Sequence, residues 1–104
     1  MPIDPIHVQA LAAVLIGLGM AVVLTRRNLF FLLMGIELML NAVNLSFIGF
    51  AMTMDLPAAV NGHIAPLFVI AIAASEACVG LAMLICINRR RDSLDADKYA
   101  SLKE

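Results

Sequence analysis

Charge is scarce in this chain, and the places that lack it are informative. The 104 residues include 7 Lys and Arg and 8 Asp and Glu, while 62% are hydrophobic and the mean hydropathy is +0.96. No Lys or Arg occurs from Met1 to Thr25 or from Asn28 to Asn88. A soluble domain of this size needs far more polar surface to stay in solution. The bilayer is the solvent that fits this composition. The net charge is only -1, and no nucleic-acid partner is expected.

Several other things are missing. There is no metal-ligand spacing, phosphate-binding glycine loop or nucleophile motif, and no internal repeat or low-complexity tract. Cys78 and Cys86 are the only cysteines. They lie on one predicted helix, about 12 Å apart along its axis, and a disulfide needs Cα atoms within about 7 Å. Both are expected to be small buried residues with no redox or metal role. The start, MPIDPIH, lacks the basic region of a secretory signal. The apolar run after it is too long for a signal's core, so it is read as a retained membrane helix.

What is present are three apolar runs. The first spans about residues 5–24, with Asp4 as N-cap and Pro5 in the first turn. Thr25, Arg26, Arg27 and Asn28 form a short turn, and Asn28 can cap a second span of about 29–52. Residues 53–63 include Asp55, Pro57, Asn61 and Gly62, which predict a loop. The third span covers about 64–87, with Pro66 in its first turn. Each is long enough for a hydrocarbon core about 30 Å thick. The expected fold is all-α, a three-helix transmembrane domain over 1–91 followed by a short polar tail over 92–104. Arg26–Arg27 and Arg89–Arg91 flank alternate ends of the spans. The positive-inside rule then puts the N-terminus outside and the C-terminus in the cytoplasm.

Two glutamates interrupt this apolar sequence. Glu37 is the sole charged residue of LFFLLMGIELMLNAVNLSFIGFAM, and Glu76 of IAPLFVIAIAASEACVGLAMLICI. A charge at the centre of a membrane helix costs about 2.5–3.5 kcal/mol on insertion scales, so a carboxyl retained there points to function. Glu37 is about 12 Å from the start of its helix and Glu76 about 16 Å from the end of its own. These depths are similar, and two carboxyls at mid-membrane can form successive stations of a lateral proton path. Asn41 and Asn44 follow Glu37 at i+4 and i+7 and share its face, which must meet protein or water. On the third helix Val69, Ile72, Gly80 and Met83 share the face of Glu76. A run of Ala, Ser and Gly residues there allows close helix approach.

Each feature also has a plainer reading. The glutamates can stay protonated and simply hydrogen-bond a neighbour. Asn41 and Asn44 can be interhelical hydrogen-bond partners rather than residues that wet a channel. Arg26 and Arg27 can do no more than fix topology. His7 and His63 fit a surface role at the outer interface, and the seven methionines fit helix packing.

Arg26-Arg27-Asn28, Gly35-Ile36-Glu37-Leu38-Met39-Leu40-Asn41-Ala42 and Ala73-Ala74-Ser75-Glu76-Ala77-Cys78-Val79-Gly80-Leu81-Ala82 together resemble the subunit K family of bacterial NADH:quinone oxidoreductase, respiratory complex I. The resemblance covers about residues 5–91 and leaves the tail without support. It implies a non-redox subunit of a proton-translocating enzyme, multi-pass in the bacterial inner membrane and beside subunits A, J and N and membrane lipid. It implies that Glu37 and Glu76 are the family's two membrane glutamates, and that Arg26 and Arg27 are its basic cytosolic loop. Flavin, iron–sulfur clusters and quinone are then bound by other subunits, with no cofactor in this chain.

Two other functions compete. The small C component of a multisubunit Mrp-type cation/proton antiporter is similar in size and helix count, but the paired glutamates favour complex I. A purely structural spacer in the membrane arm would place no demand on the glutamates once assembly is intact. The third span argues against a two-helix ring component of ATP synthase, and three spans are too few for a small multidrug exporter.

Overall fold

A computed structural model describes residues 3–91 and 95–97. Of the expected polar tail, all but residues 95–97 lies outside the described residues. Three helices form in order: α1 (Pro5–Thr25), α2 (Leu29–Ala51) and α3 (Leu56–Arg91). All three are long and apolar enough to cross a membrane. The first two start as their caps dictate. Asp4 Oδ1 accepts the Ile6 N–H at 2.9 Å, and Asn28 Oδ1 accepts the Phe30 N–H at 2.9 Å. Each cap satisfies one of the donors that a helix start leaves unpaired.

The third helix departs from expectation. It begins at Leu56, not near 64, so the connection after α2 is only residues 52–55. The residues that suggested a loop play other parts. Pro57 stands in the first turn, where its missing N–H costs nothing. The Asp55 carbonyl takes the first helical bond, from the Ala59 N–H at 2.8 Å. Gly62 marks close contact, not a turn, since a Cβ there would lie 2.7 Å from the Ala51 Cβ. Pro66 is consequently in the helix interior and buried. It removes the bond that would otherwise reach the Gly62 carbonyl.

The middle helix in space is α2, which packs on α1 along one side and on α3 along the other. The bundle measures 54 × 26 × 24 Å. Its interior is built from small residues: Ala12, Gly19, Gly35, Ala42, Gly49, Ala51, Pro66 and Ala73 are buried, while among the described residues the large apolar side chains are half-buried or exposed. In a bilayer, burial of apolar side chains between helices gains little over lipid contact. Helices associate instead through close backbone approach and polar bonds. One such polar link ties α1 to α2: Gln9 Nε2 donates to the Ser46 carbonyl at 2.9 Å, and Ser46 Oγ donates to Gln9 Oε1 at 2.8 Å.

The expectation that Cys78 and Cys86 are buried is not met, for both are exposed on this chain. With α3 packed on one helix only, most of its circumference has no intramolecular cover. The same holds for its small-residue run: Ala73 is buried, Ala77 and Gly80 are half-buried, and Ala71, Ala74, Ser75 and Ala82 face out.

Candidate functional site

Glu37 lies on the side of α2 that faces α3. Its carboxyl borders a cavity of about 340 Å³ lined by Phe30, Leu33, Met34, Leu38 and Asn41 from α2 and by Ala77 and Leu81 from α3. The Oε1 atom is buried and has no hydrogen-bond partner in the chain. A buried polar atom left unpaired typically costs about 1–3 kcal/mol, so this oxygen calls for a partner from outside the chain, water included.

The polar stripe that follows Glu37 splits in two. Asn41 is exposed and lines the same cavity, while Asn44 is only 8% exposed and its Oδ1 also has no partner. The divergence follows from helix geometry. At 100° per residue, i+4 and i+7 fall on opposite sides of Glu37, one toward the cavity mouth and one toward the packed interior. Glu37 Oε1 and Asn44 Oδ1 are the two buried, unpartnered side-chain oxygens among the described residues.

Glu76 is placed differently. It is exposed, and the residue after it, Ala77, lines the cavity of Glu37. Gly80, one turn from Glu76, lies against Leu33, one turn from Glu37, so the two acids are at similar height, but one turns into the α2–α3 seam and the other outward from α3. Of the residues sharing the face of Glu76, Ile72 and Met83 are exposed and Val69 and Gly80 half-buried. Ser75 Oγ is engaged by its own helix, donating to the Ala71 carbonyl at 2.9 Å.

The opposite side of the α2–α3 seam holds a second cavity, of about 290 Å³, lined only by apolar residues such as Leu32, Ile36 and Met83 together with Gly80. It offers nothing to a proton or an ion. Among the described residues no three His, Cys, Asp or Glu side chains are grouped so as to hold a metal ion.

Arg26 and Arg27 separate in role at the α1–α2 turn. Arg27 pairs with Asp97 at 3.1 Å, and the Arg26 guanidinium lies 5.6 Å from the centroid of the Phe31 ring. His7 and His63 are both exposed, and His63 Nδ1 is 2.7 Å from the Ala59 carbonyl of its own helix. Sequence reasoning missed the contribution of Phe30, Ala77 and Leu81 to the cavity. No spacing within one helix could have revealed a wall made jointly by two.

Three membrane-length helices packed through small residues are the build of a multi-pass membrane protein, and a carboxyl lies at the seam of two of them. Residues 7–104 match the family model of NADH-ubiquinone/plastoquinone oxidoreductase chain 4L. The chain is 49% identical over 98 residues to NADH-quinone oxidoreductase subunit K of Thermomicrobium roseum, covering 94% of this chain and 93% of that one. It is 48% identical over 105 residues to the subunit K of Anaeromyxobacter sp. (strain K), covering 100% of both chains. Against subunit K 2 of Solibacter usitatus the identity is 45% over 102 residues, covering 98% of this chain and 97% of the relative. The chain belongs to the NADH-quinone oxidoreductase subunit K (chain 4L) family of complex I. The match extends through the tail, which had no support from the motifs alone.

Proposed function

We propose that this chain is a membrane-arm subunit of a proton-pumping NADH:quinone oxidoreductase, and that Glu37 carries protons in its translocation path. The observation behind this reading is the buried, unpartnered Glu37 Oε1 beside a cavity that also holds Asn41. A spacer has no need of a carboxyl between two helices. A proton carrier does, because the group must exchange its proton with water or a neighbouring carboxyl.

Glu76 serves as the outward station. Facing away from α2, it exchanges protons with an adjacent protein of the complex while Glu37 serves the interior of this one. Asn41 and Asn44 hold water along the polar face, and Arg26 and Arg27 belong to the basic loop on the cytoplasmic side. The neighbours in this reading are subunits A, J and N, in a bacterial inner membrane, with the N-terminus outside. The redox chemistry, with its flavin, iron–sulfur clusters and quinone, takes place in other subunits.

Glu37→Gln tests the proposal. Glutamine keeps the size and the hydrogen bonding but cannot ionise. Native gels should show an intact complex, and quinone-coupled proton uptake in vesicles should fall by at least an order of magnitude. Full pumping by that variant would reduce Glu37 to a packing residue.

A further inference from the structure

The α1–α2 turn and a short segment beyond α3 meet at the basic end of the bundle. The Ala96 N–H donates to the Arg27 carbonyl at 2.9 Å, and Asn28 and Asp95 face each other as an antiparallel bridge pair. The Arg27 guanidinium reaches the Asp97 carboxylate at 3.1 Å, and the Asp97 N–H donates to Asp95 Oδ1 at 3.0 Å. Both ends of the ion pair are well exposed, and pairs of that kind hold weakly. Backbone bonding at Ala96 joins that pair in holding this segment to the turn.

The same turn is linked to the cavity of Glu37. Asn28, held opposite Asp95, caps α2 through the Phe30 N–H. Arg26 lies over the Phe31 ring, and Phe31 meets Phe30 edge-on with centroids 6.2 Å apart. Phe30 lines the Glu37 cavity and also a neighbouring groove of about 340 Å³ that ends at Asn88 and Arg89. Phe30 and Leu81 are the residues common to both spaces. They form the partition between the basic end of the bundle and the carboxyl.

We propose that residues 95–97 act as a clasp which, by fixing Asn28 and with it Phe30, sets how freely water reaches Glu37 from the basic end. Its functional meaning rests on the proton-carrying role of Glu37, but the access it controls is measurable without pumping. With the clasp closed, Phe30 keeps its place between the two spaces it lines with Leu81. With it open, the start of α2 loses a constraint and the partition loosens.

The test uses the assembled complex in membranes, with Cys78 and Cys86 replaced by Ala and the pair Asn28→Cys and Asp95→Cys introduced. Residues directly opposed in an antiparallel pair have Cα atoms about 4.5–5.5 Å apart, within disulfide reach. Oxidation should therefore close an intramolecular bond. A water-soluble carbodiimide with an amine nucleophile then reports access to Glu37, read by peptide mass spectrometry. The oxidised form, in which the segment cannot leave the turn, should be modified several-fold more slowly than the reduced form. Ala96→Pro, which deletes the clasp's N–H without altering charge, should also be several-fold faster. Phe30→Ala should be fast whether the disulfide is open or closed. Failure of the disulfide to form, or equal rates in oxidised and reduced complexes, would overturn the clasp. If Ala96→Pro does not assemble, the oxidised and reduced forms of one complex still decide. Full pumping by Glu37→Gln would remove the proton-carrying role and leave these rates to judge the clasp alone.

Discussion

Gly19 on α1 and Gly35 on α2 lie against each other so closely that each backbone occupies the space of the other's side chain. A Cβ on Gly19 would lie 2.8 Å from the Gly35 carbonyl oxygen, and one on Gly35 would lie 3.0 Å from that of Gly19. A carbonyl inside a helix cannot move aside as a flexible side chain can. The approach matters because Gly35 is two residues from Glu37, so the α1–α2 contact fixes α2 at the level of the carboxyl.

Gly19→Ala or Gly35→Ala should therefore force α1 and α2 apart. Overpacking of this sort typically costs about 1–3 kcal/mol. Thermal dissociation of the complex on native gels should show both variants melting early. Gly17→Ala is the control, since nothing lies within 4 Å of a Cβ there, and it should behave as wild type.

Moving the carboxyl along its own face should preserve part of its activity. Leu33 and Asn41, one turn either side of Glu37, line the same cavity. Glu37→Leu combined with Leu33→Glu, or with Asn41→Glu, keeps an acid inside that space while shifting it by about 5 Å. A path linked by water tolerates such a shift, and a rigid contact does not. Proton uptake clearly above that of Glu37→Gln is expected, and uptake no better than that variant would point to a fixed partner.

Glu76 should be the more forgiving of the two acids. It is exposed on this chain and faces away from the cavity, so an adjacent protein of the complex can offer a carboxyl in parallel. Glu76→Gln should impair pumping less than Glu37→Gln does, and Glu76→Asp should be nearly silent because water easily bridges one missing methylene. The double change to Gln should be worse than either single one. Equal loss in both single variants with no further loss in the double would instead make them one obligatory series.

The membrane orientation can be read with two cysteines. Thr53 lies in the connection after α2, where the chain has no Lys or Arg nearby, and Ser101 follows the basic end of α3. In a background without Cys78 and Cys86, an impermeant thiol reagent should label Thr53→Cys from outside and Ser101→Cys from the cytoplasm. Labelling of both from the cytoplasmic side would refute the proposed topology.

The helices were legible in the sequence because their signals are local. Asp4 and Asn28 each cap the helix that follows at a distance of two residues, and three apolar runs of membrane length need no tertiary knowledge to be recognised. The two glutamates were conspicuous for the same reason, each being the sole charge in its run. The start of α3 is not legible in this way, because Pro57, Asn61 and Gly62 have two meanings. A proline in a helix's first turn and a glycine at a tight helix crossing look, in one dimension, like a loop.

The sequence by itself determined that this chain forms three helices long and apolar enough to cross a membrane, two of them carrying a single acid each. Both properties depend only on residue type and spacing. Tertiary structure alone decided which acid turns inward, since that depends on which side of α2 meets α3. Helix phase relates residues on one helix but does not orient two helices toward each other. The same reason accounts for the partition of Phe30 and Leu81, and for the segment at Ala96 that returns to Arg27: both join residues more than fifty positions apart, which meet only because α2 and α3 run side by side.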